Sequence, residues 1–392
     1  MTSCSVPIRP ITREPGYHWF AYYDKLQIDP SGRYALGMRV DFEHRSPRGD
    51  DEIVVGMVDL ADGDRWIDLG TSRAWSWQQG CMLQWLPGSR DEVIWNDRQG
   101  ERFVAHVLNV HSGARRTIPA PIYAIAPDGR SAVAPDFCRI NDTRPGYGYA
   151  GLIDPYRDEL APEGSGIWRV DLATGTTELI ITLAQIAAIP YPRGDYAGYK
   201  HWFNHLLFNT DGSRFEFLHR WRHPRGFDTR MFTAAPDGSD IRVVDDYGQT
   251  SHFIWRDPEH ILAWAWHPSH GERFYLYRDG TRDVEVVGEQ AMTGNGHCSY
   301  LPGNEWILND TYPDAARRQH LYLYHVPTGT KVPLGAFPTP QEYVGEWRCD
   351  LHPRFSPDGQ SVVIDSVHGG RGRQMYLLDI SGVVARPPSV LG

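Results

Sequence analysis

The sequence predicts an all-β fold, a seven-bladed β-propeller of four-stranded antiparallel blades, as one domain spanning residues 1–392. Three observations predict it. A strand–turn–strand unit occurs seven times along the chain. Each copy is followed by a further apolar strand that closes in a polar turn, most often with Gly. Helical periodicity is almost absent, with one short candidate at ITLAQIAAI, 181–189.

The units start near residues 26, 83, 122, 206, 253, 299 and 353. They read LQIDPSGRYALGM, LQWLPGSRDEVIW, IYAIAPDGRSAVA, LLFNTDGSRFEFL, FIWRDPEHILAWA, SYLPGNEWIL and PRFSPDGQSVVI. Pro presets the φ of a turn and Gly supplies a positive φ, so P-D-G and its variants reverse the chain between paired strands. The third strands follow as VVGMVDLADG, AHVLNVHSGAR, GIWRVDLATGT, MFTAAPDGSD, FYLYRDGT, LYLYHVPTGT and MYLLDISG. Most spacings between units fall at about 40 to 56 residues, the length of a four-stranded blade. The exception precedes the unit at 206. There the segment 136–165, rich in Gly, Pro and Asp, reads as a long loop inserted in blade three and expected to fold over the mouth of the channel.

Composition narrows the functional classes. Net charge is −10, which excludes a polyanion such as nucleic acid but leaves room for a small acidic ligand in a local cationic pocket. Aromatics make up 12% of the chain, with 14 Trp and 20 Tyr. That supply suits packing between blades first and stacking against sugars second. The five cysteines (Cys4, Cys81, Cys138, Cys298, Cys349) include no C-x-x-C pair, so neither a disulfide framework nor a zinc knuckle is expected. No apolar run approaches a membrane span, and the N-terminal residues lack a secretory pattern. The expected location is the cytoplasm.

In a propeller the innermost strand of each blade starts at one mouth of the channel and the second strand returns to it. Residues before and after each unit therefore meet there. Those positions hold most of the 17 histidines. They also hold Tyr22, Tyr23, His205, His219, Arg220, Arg222, His252, His297, Asp310, Tyr312, Arg348, Asp350 and His352. The bland reading of Asp97, Asp310 and Asp365 is loop closure by side-chain-to-backbone bonds. Two imidazoles and a carboxylate, His297, Asp350 and His352, approach from neighbouring blades and form a reasonable divalent-metal set. In an extended segment Asp350 and His352 share one face. His205, Arg220 and Arg222 stand on the rim of blade four as substrate contacts.

The segments RMFTAAPDGSDIRVV, SHFIW, GHCSYLPGNEWILND and HPRFSPDG, within roughly 200–380, resemble the oligogalacturonate lyase family of seven-bladed propellers. The resemblance implies β-elimination from a short acidic oligosaccharide. It further implies His252 as the base, Arg230 as the partner of the substrate carboxylate and His219 as a further substrate contact. It places manganese on residues matching His297 and His352. Where the family has Gln-x-x-His-x-His, this chain has Trp347-Arg348-Cys349-Asp350-Leu351-His352. Asp350 suits manganese and also the harder calcium or magnesium. The alternative is a non-catalytic TolB-like propeller that binds a peptide or partner protein. A hydrolase of the prolyl-peptidase kind is disfavoured, since no G-x-S-x-G elbow is present.

Overall fold

The computed structural model describes residues 3–388. Seven antiparallel sheets form the propeller, five of them pairing their strands in sequence order and two also taking a strand from the N-terminal region. The inserted turns behave as their residues require. Gly129, Gly212 and Gly359 adopt φ of +69°, +74° and +68°, and each donates its N–H to the carbonyl three residues earlier.

Innermost strands in blades two, three, six and seven are short: Gln84–Trp85, Ala124–Ile125, Ser299–Tyr300 and Arg354–Phe355. Blades four and five carry longer ones, His201–Phe208 and Thr250–Trp255. Packing between blades follows the two-residue alternation of strands. In blade four, Phe203, Phe217 and Phe232 face Ile167 and Ile181 of blade three. Leu218 and Met231 face Phe253 and Ala263 of blade five.

Blade one departs from the expected start near 26. Its innermost strand is Tyr17–Trp19, and only the bridge between Ile28 and Ala35 marks the later position. The intervening residues leave the sheet and fill the channel. The Tyr23 hydroxyl donates to Phe253 O at 2.7 Å, Tyr22 meets His205 at 3.2 Å, and Lys25 lies over the Tyr123 ring. One segment of blade one thus touches blades three, four and five. Ala21, at φ +77°, makes the turn out of the sheet.

Ring closure also differs from a simple repeat. Blade seven takes its outer strand from the N-terminal region, Ile8–Pro10 pairing with Gln374–Asp379. Ser3–Cys4 adds a fifth strand to blade six. Sequence periodicity does not report these edges, because their partners lie at opposite ends of the chain.

The short helix is Leu183–Ala187, opened by a capping box of Thr182 and Gln185. The insertion contains a second helix, Phe137–Thr143, capped by Asp136, which accepts from the N–H groups of Cys138 and Arg139. Arg139 anchors it through Asp154 at 3.0 Å and the carbonyls of His201, Tyr156, Glu159 and Leu160. No helix among the described residues is long and apolar enough to cross a membrane.

Candidate metal centre

His297 precedes the innermost strand of blade six, and Asp350 and His352 precede that of blade seven. Their ligand atoms lie within 4.8 Å of one another, and all three residues are buried. His297 Nε2, His352 Nε2 and Asp350 Oδ1 are each buried with no hydrogen-bond partner among the described residues. Burying one such atom unpaired is costly, and three converging on one point are what a cation requires. The residues present therefore fit a divalent metal.

Their remaining atoms are held in place. Asp310 accepts from His297 Nδ1 at 2.9 Å and from the backbone N–H of His297 at 2.7 Å and of His352 at 3.2 Å. With Nδ1 as the donor, the His297 lone pair sits on Nε2, the usual arrangement behind a metal-ligating histidine. Burial lowers the His297 pKa, the Asp310 carboxylate outweighs it, and the net shift is upward. His352 is pushed well below its ordinary value, by burial first and then by His297. Asp350 Oδ2 accepts from Arg348 Nε at 2.7 Å, which leaves Oδ1 free. Gly296 permits the approach of His297, since a Cβ there would lie 2.0 Å from the Asp310 carbonyl oxygen. His352 itself holds φ +41°, a strained conformation for a side chain of this size.

His252, at the start of blade five, lies with its ring centroid 4.2 Å from that of His297. Its Nδ1 is 3.0 Å from Asn295 Oδ1, and the Asn295 amide nitrogen donates to Ser251 Oγ at 3.2 Å. With the amide in this orientation, Nδ1–H donates to Oδ1 and Nε2 keeps the lone pair. Burial and the neighbouring His297 hold the His252 pKa well below 6.5.

Three arginines gather beside this cluster. Arg348 bridges Asp350 and the Tyr147 hydroxyl, to which its second nitrogen donates at 2.6 Å. Arg144 lies over the Tyr147 ring, 4.2 Å from its centroid, and donates to the same hydroxyl at 3.2 Å. Arg220 is buried, with its Nε donating to Thr229 Oγ1 at 3.2 Å. Neither Arg144 nor Arg220 has a carboxylate partner within 4.0 Å among the described residues. Burial, then the Arg144 charge, depress the Arg220 pKa to about 9. Two adjacent guanidinium groups without counter-charge make a site for an anion.

The other expected contacts lie elsewhere. Arg230 pairs with His219 across the sheet, and both project toward blade three, whereas Arg220, one position on, projects toward blade five. The Arg230 guanidinium donates to the carbonyls of Ile189 and Pro190 and to the Tyr196 hydroxyl. His219 stacks on His201, with their ring nitrogens 2.9 Å apart. The structure therefore does not bring Arg230 and His219 to His252. The side-chain alternation that separates Arg220 from Arg230 is the physical reason. Arg222 donates to the Thr143 carbonyl and so ties down the insertion. His205 belongs to the channel filling, between Tyr22 and Asp24, and burial lowers its pKa to about 4. Asp365 does close a loop, accepting from the N–H groups of Phe20 and Ala21 and from Arg354.

Asn295, Arg144 and Tyr147 were not legible as site residues. Asn295 reads as part of a G-N-G turn, and the other two fall in the insertion, where no repeat position applies. Through Tyr147 the insertion meets the cluster from the Arg348 side. A surface cavity of about 680 Å³ lies at Arg13, His18, Arg39 and Trp66 and includes none of these groups.

No protein-family model and no curated protein matches the chain by sequence. Solved structures do match in fold. An oligogalacturonate lyase from Vibrio parahaemolyticus is 16% identical, with a TM-score of 0.69 over 97% of this chain and 96% of that one. An oligogalacturonate lyase in complex with manganese is 16% identical, with a TM-score of 0.68 over 96% and 94%. The β-propeller domain of the trilobed protease from Pyrococcus furiosus reaches a TM-score of 0.50 at 10% identity over 93% and 94%. At these identities the likeness is one of fold.

Proposed function

We propose that the protein is a metal-assisted lyase that cleaves short oligo-uronides by β-elimination to 4,5-unsaturated uronates. One observation carries this reading. Three buried ligand atoms on His297, Asp350 and His352, unpartnered among the described residues, stand beside a third imidazole, His252, whose Nε2 is left with its lone pair. The fold shared with oligogalacturonate lyases, one of them a manganese complex, supports the same reading.

The chemistry asks for a base at C5 and positive charge at the adjoining carboxylate. His252 is the base: burial keeps it neutral at physiological pH, and Asn295 presents the required tautomer. Arg220, a buried cation without a carboxylate partner among the described residues, binds a uronate carboxylate in bidentate fashion. His297, Asp350 and His352 would hold manganese, magnesium or calcium, which would supply Lewis-acid chemistry at the site. Asp310 and Arg348 keep those three ligands oriented. The closed, largely buried setting excludes water and strengthens each charge interaction.

The test is metal analysis of the purified protein together with ultraviolet detection of unsaturated product from a panel of oligo-uronides. Divalent metal in near-stoichiometric amount and chelator-sensitive product formation are expected. Full activity in excess chelator, or no product from any uronide, overturns the reading, the latter in favour of a binding propeller.

A further inference from the structure

We infer that Tyr147 is the proton donor to the leaving glycosidic oxygen, an assignment that rests on the lyase reading above. The residue sits in the insertion of blade three, and its side chain is buried against the site. Its hydroxyl has two hydrogen-bonding neighbours, Arg348 at 2.6 Å and Arg144 at 3.2 Å, and both are guanidinium groups. A guanidinium only donates, so both bonds end on the phenol's lone pairs. The phenol's own hydrogen finds no acceptor among the described residues and is left for a ligand.

The same two cations stabilise what remains after the proton is given up. A phenolate held between Arg144 and Arg348 keeps both bonds and gains charge assistance in each. Burial raises the phenol's pKa, but Arg144 and Arg348 more than offset it and bring it to about 7. A donor matched to the working pH is the efficient one. Tyr312 is the competing phenol, with its ring 6.0 Å from that of His252. Hydrogen bonding separates the two phenols: Arg348 joins the Tyr147 hydroxyl to Asp350 through one guanidinium, whereas the Tyr312 hydroxyl accepts from no arginine among the described residues.

The step balances without a further reactant. His252 takes the C5 proton, and the C5–H electron pair becomes the C4=C5 double bond. The C4–O bond breaks, its electron pair stays on the leaving oxygen, and that oxygen receives the Tyr147 proton. After product release His252 loses its proton to solvent and the phenolate recovers one.

A leaving-group series tests the assignment. Uronides substituted at C4 with an alkyl alcohol, a phenol and a nitrophenol are given to wild type and Tyr147→Phe at equal metal content. General acid catalysis is worth about a hundredfold or more for a poor leaving group, and little for one that departs as a stable anion. Tyr147→Phe is expected to lose at least about a hundredfold in kcat with the alcohol and less than about tenfold with the nitrophenol. Loss of the same factor across the series means that Tyr147 only positions Arg348, and overturns the inference while leaving the lyase reading intact. A wild type inert on the whole series removes both.

Discussion

Asp310→Asn probes the metal centre without touching a ligand. Asp310 accepts from three N–H donors, on His297 Nδ1, His297 N and His352 N. Asparagine keeps the shape but offers a single oxygen, so one donor faces an NH2 group and the charge is lost. A hydrogen bond to a charged group is worth about 1.5–3 kcal/mol. That converts to roughly ten- to a hundredfold in an equilibrium constant. The same range is typical when an outer carboxylate behind a metal-bound histidine is removed. Calorimetric titration of apo-protein with manganese is expected to show Kd weakened by about ten- to a hundredfold. Thermal stability without metal should fall far less than for loss of a core contact. Manganese affinity within twofold of wild type would refute the reasoning, because Asp310 would then be closing a loop and nothing more.

Other expectations follow from the same geometry. His252→Ala should lose at least about a hundredfold in kcat and keep its metal content; wild-type turnover removes His252 as base. Arg220→Gln should raise KM by at least about tenfold, the effect of about 1.4 kcal/mol, with little change in melting temperature. Arg230→Gln should do the reverse, because its donors hold the carbonyls of Ile189 and Pro190; equal effects on KM would refute the separation of the two arginines. Glu216, fully buried with both carboxylate oxygens unpartnered among the described residues, has a pKa raised well above the ordinary value by burial. The native state thus holds a proton that the unfolded state releases above about pH 4.3. Stability is lost as pH rises through that window, by about 1.4 kcal/mol per unit. Glu216→Gln should therefore gain melting temperature over wild type progressively from pH 5 to 7, and parallel curves would refute the argument.

Much of this was legible in the chain itself. A turn signature such as P-D-G followed by alternating apolar residues is a local instruction, so the blade count and the insertion could be read directly. The candidate metal triad was legible for a related reason: propeller geometry carries the residues before each innermost strand to one mouth, and His297, Asp350 and His352 occupy such positions. Tertiary structure decided what depends on contacts between distant segments. Ile8–Pro10 closes blade seven through a partner more than 360 residues away. Tyr22 to Lys25 abandon their sheet because the channel they fill is lined by blades three to five. The choice between Arg220 and Arg230 turned on which face of blade four each strand residue presents. That face is set by pairing register, and a shift of one residue reverses it. Tyr147, on a segment without any repeat, acquired its place only when Arg144 and Arg348 closed on its hydroxyl. Local turn chemistry repeats in the sequence; the electrostatic company of a buried group does not, because it is assembled from elements far apart in the chain.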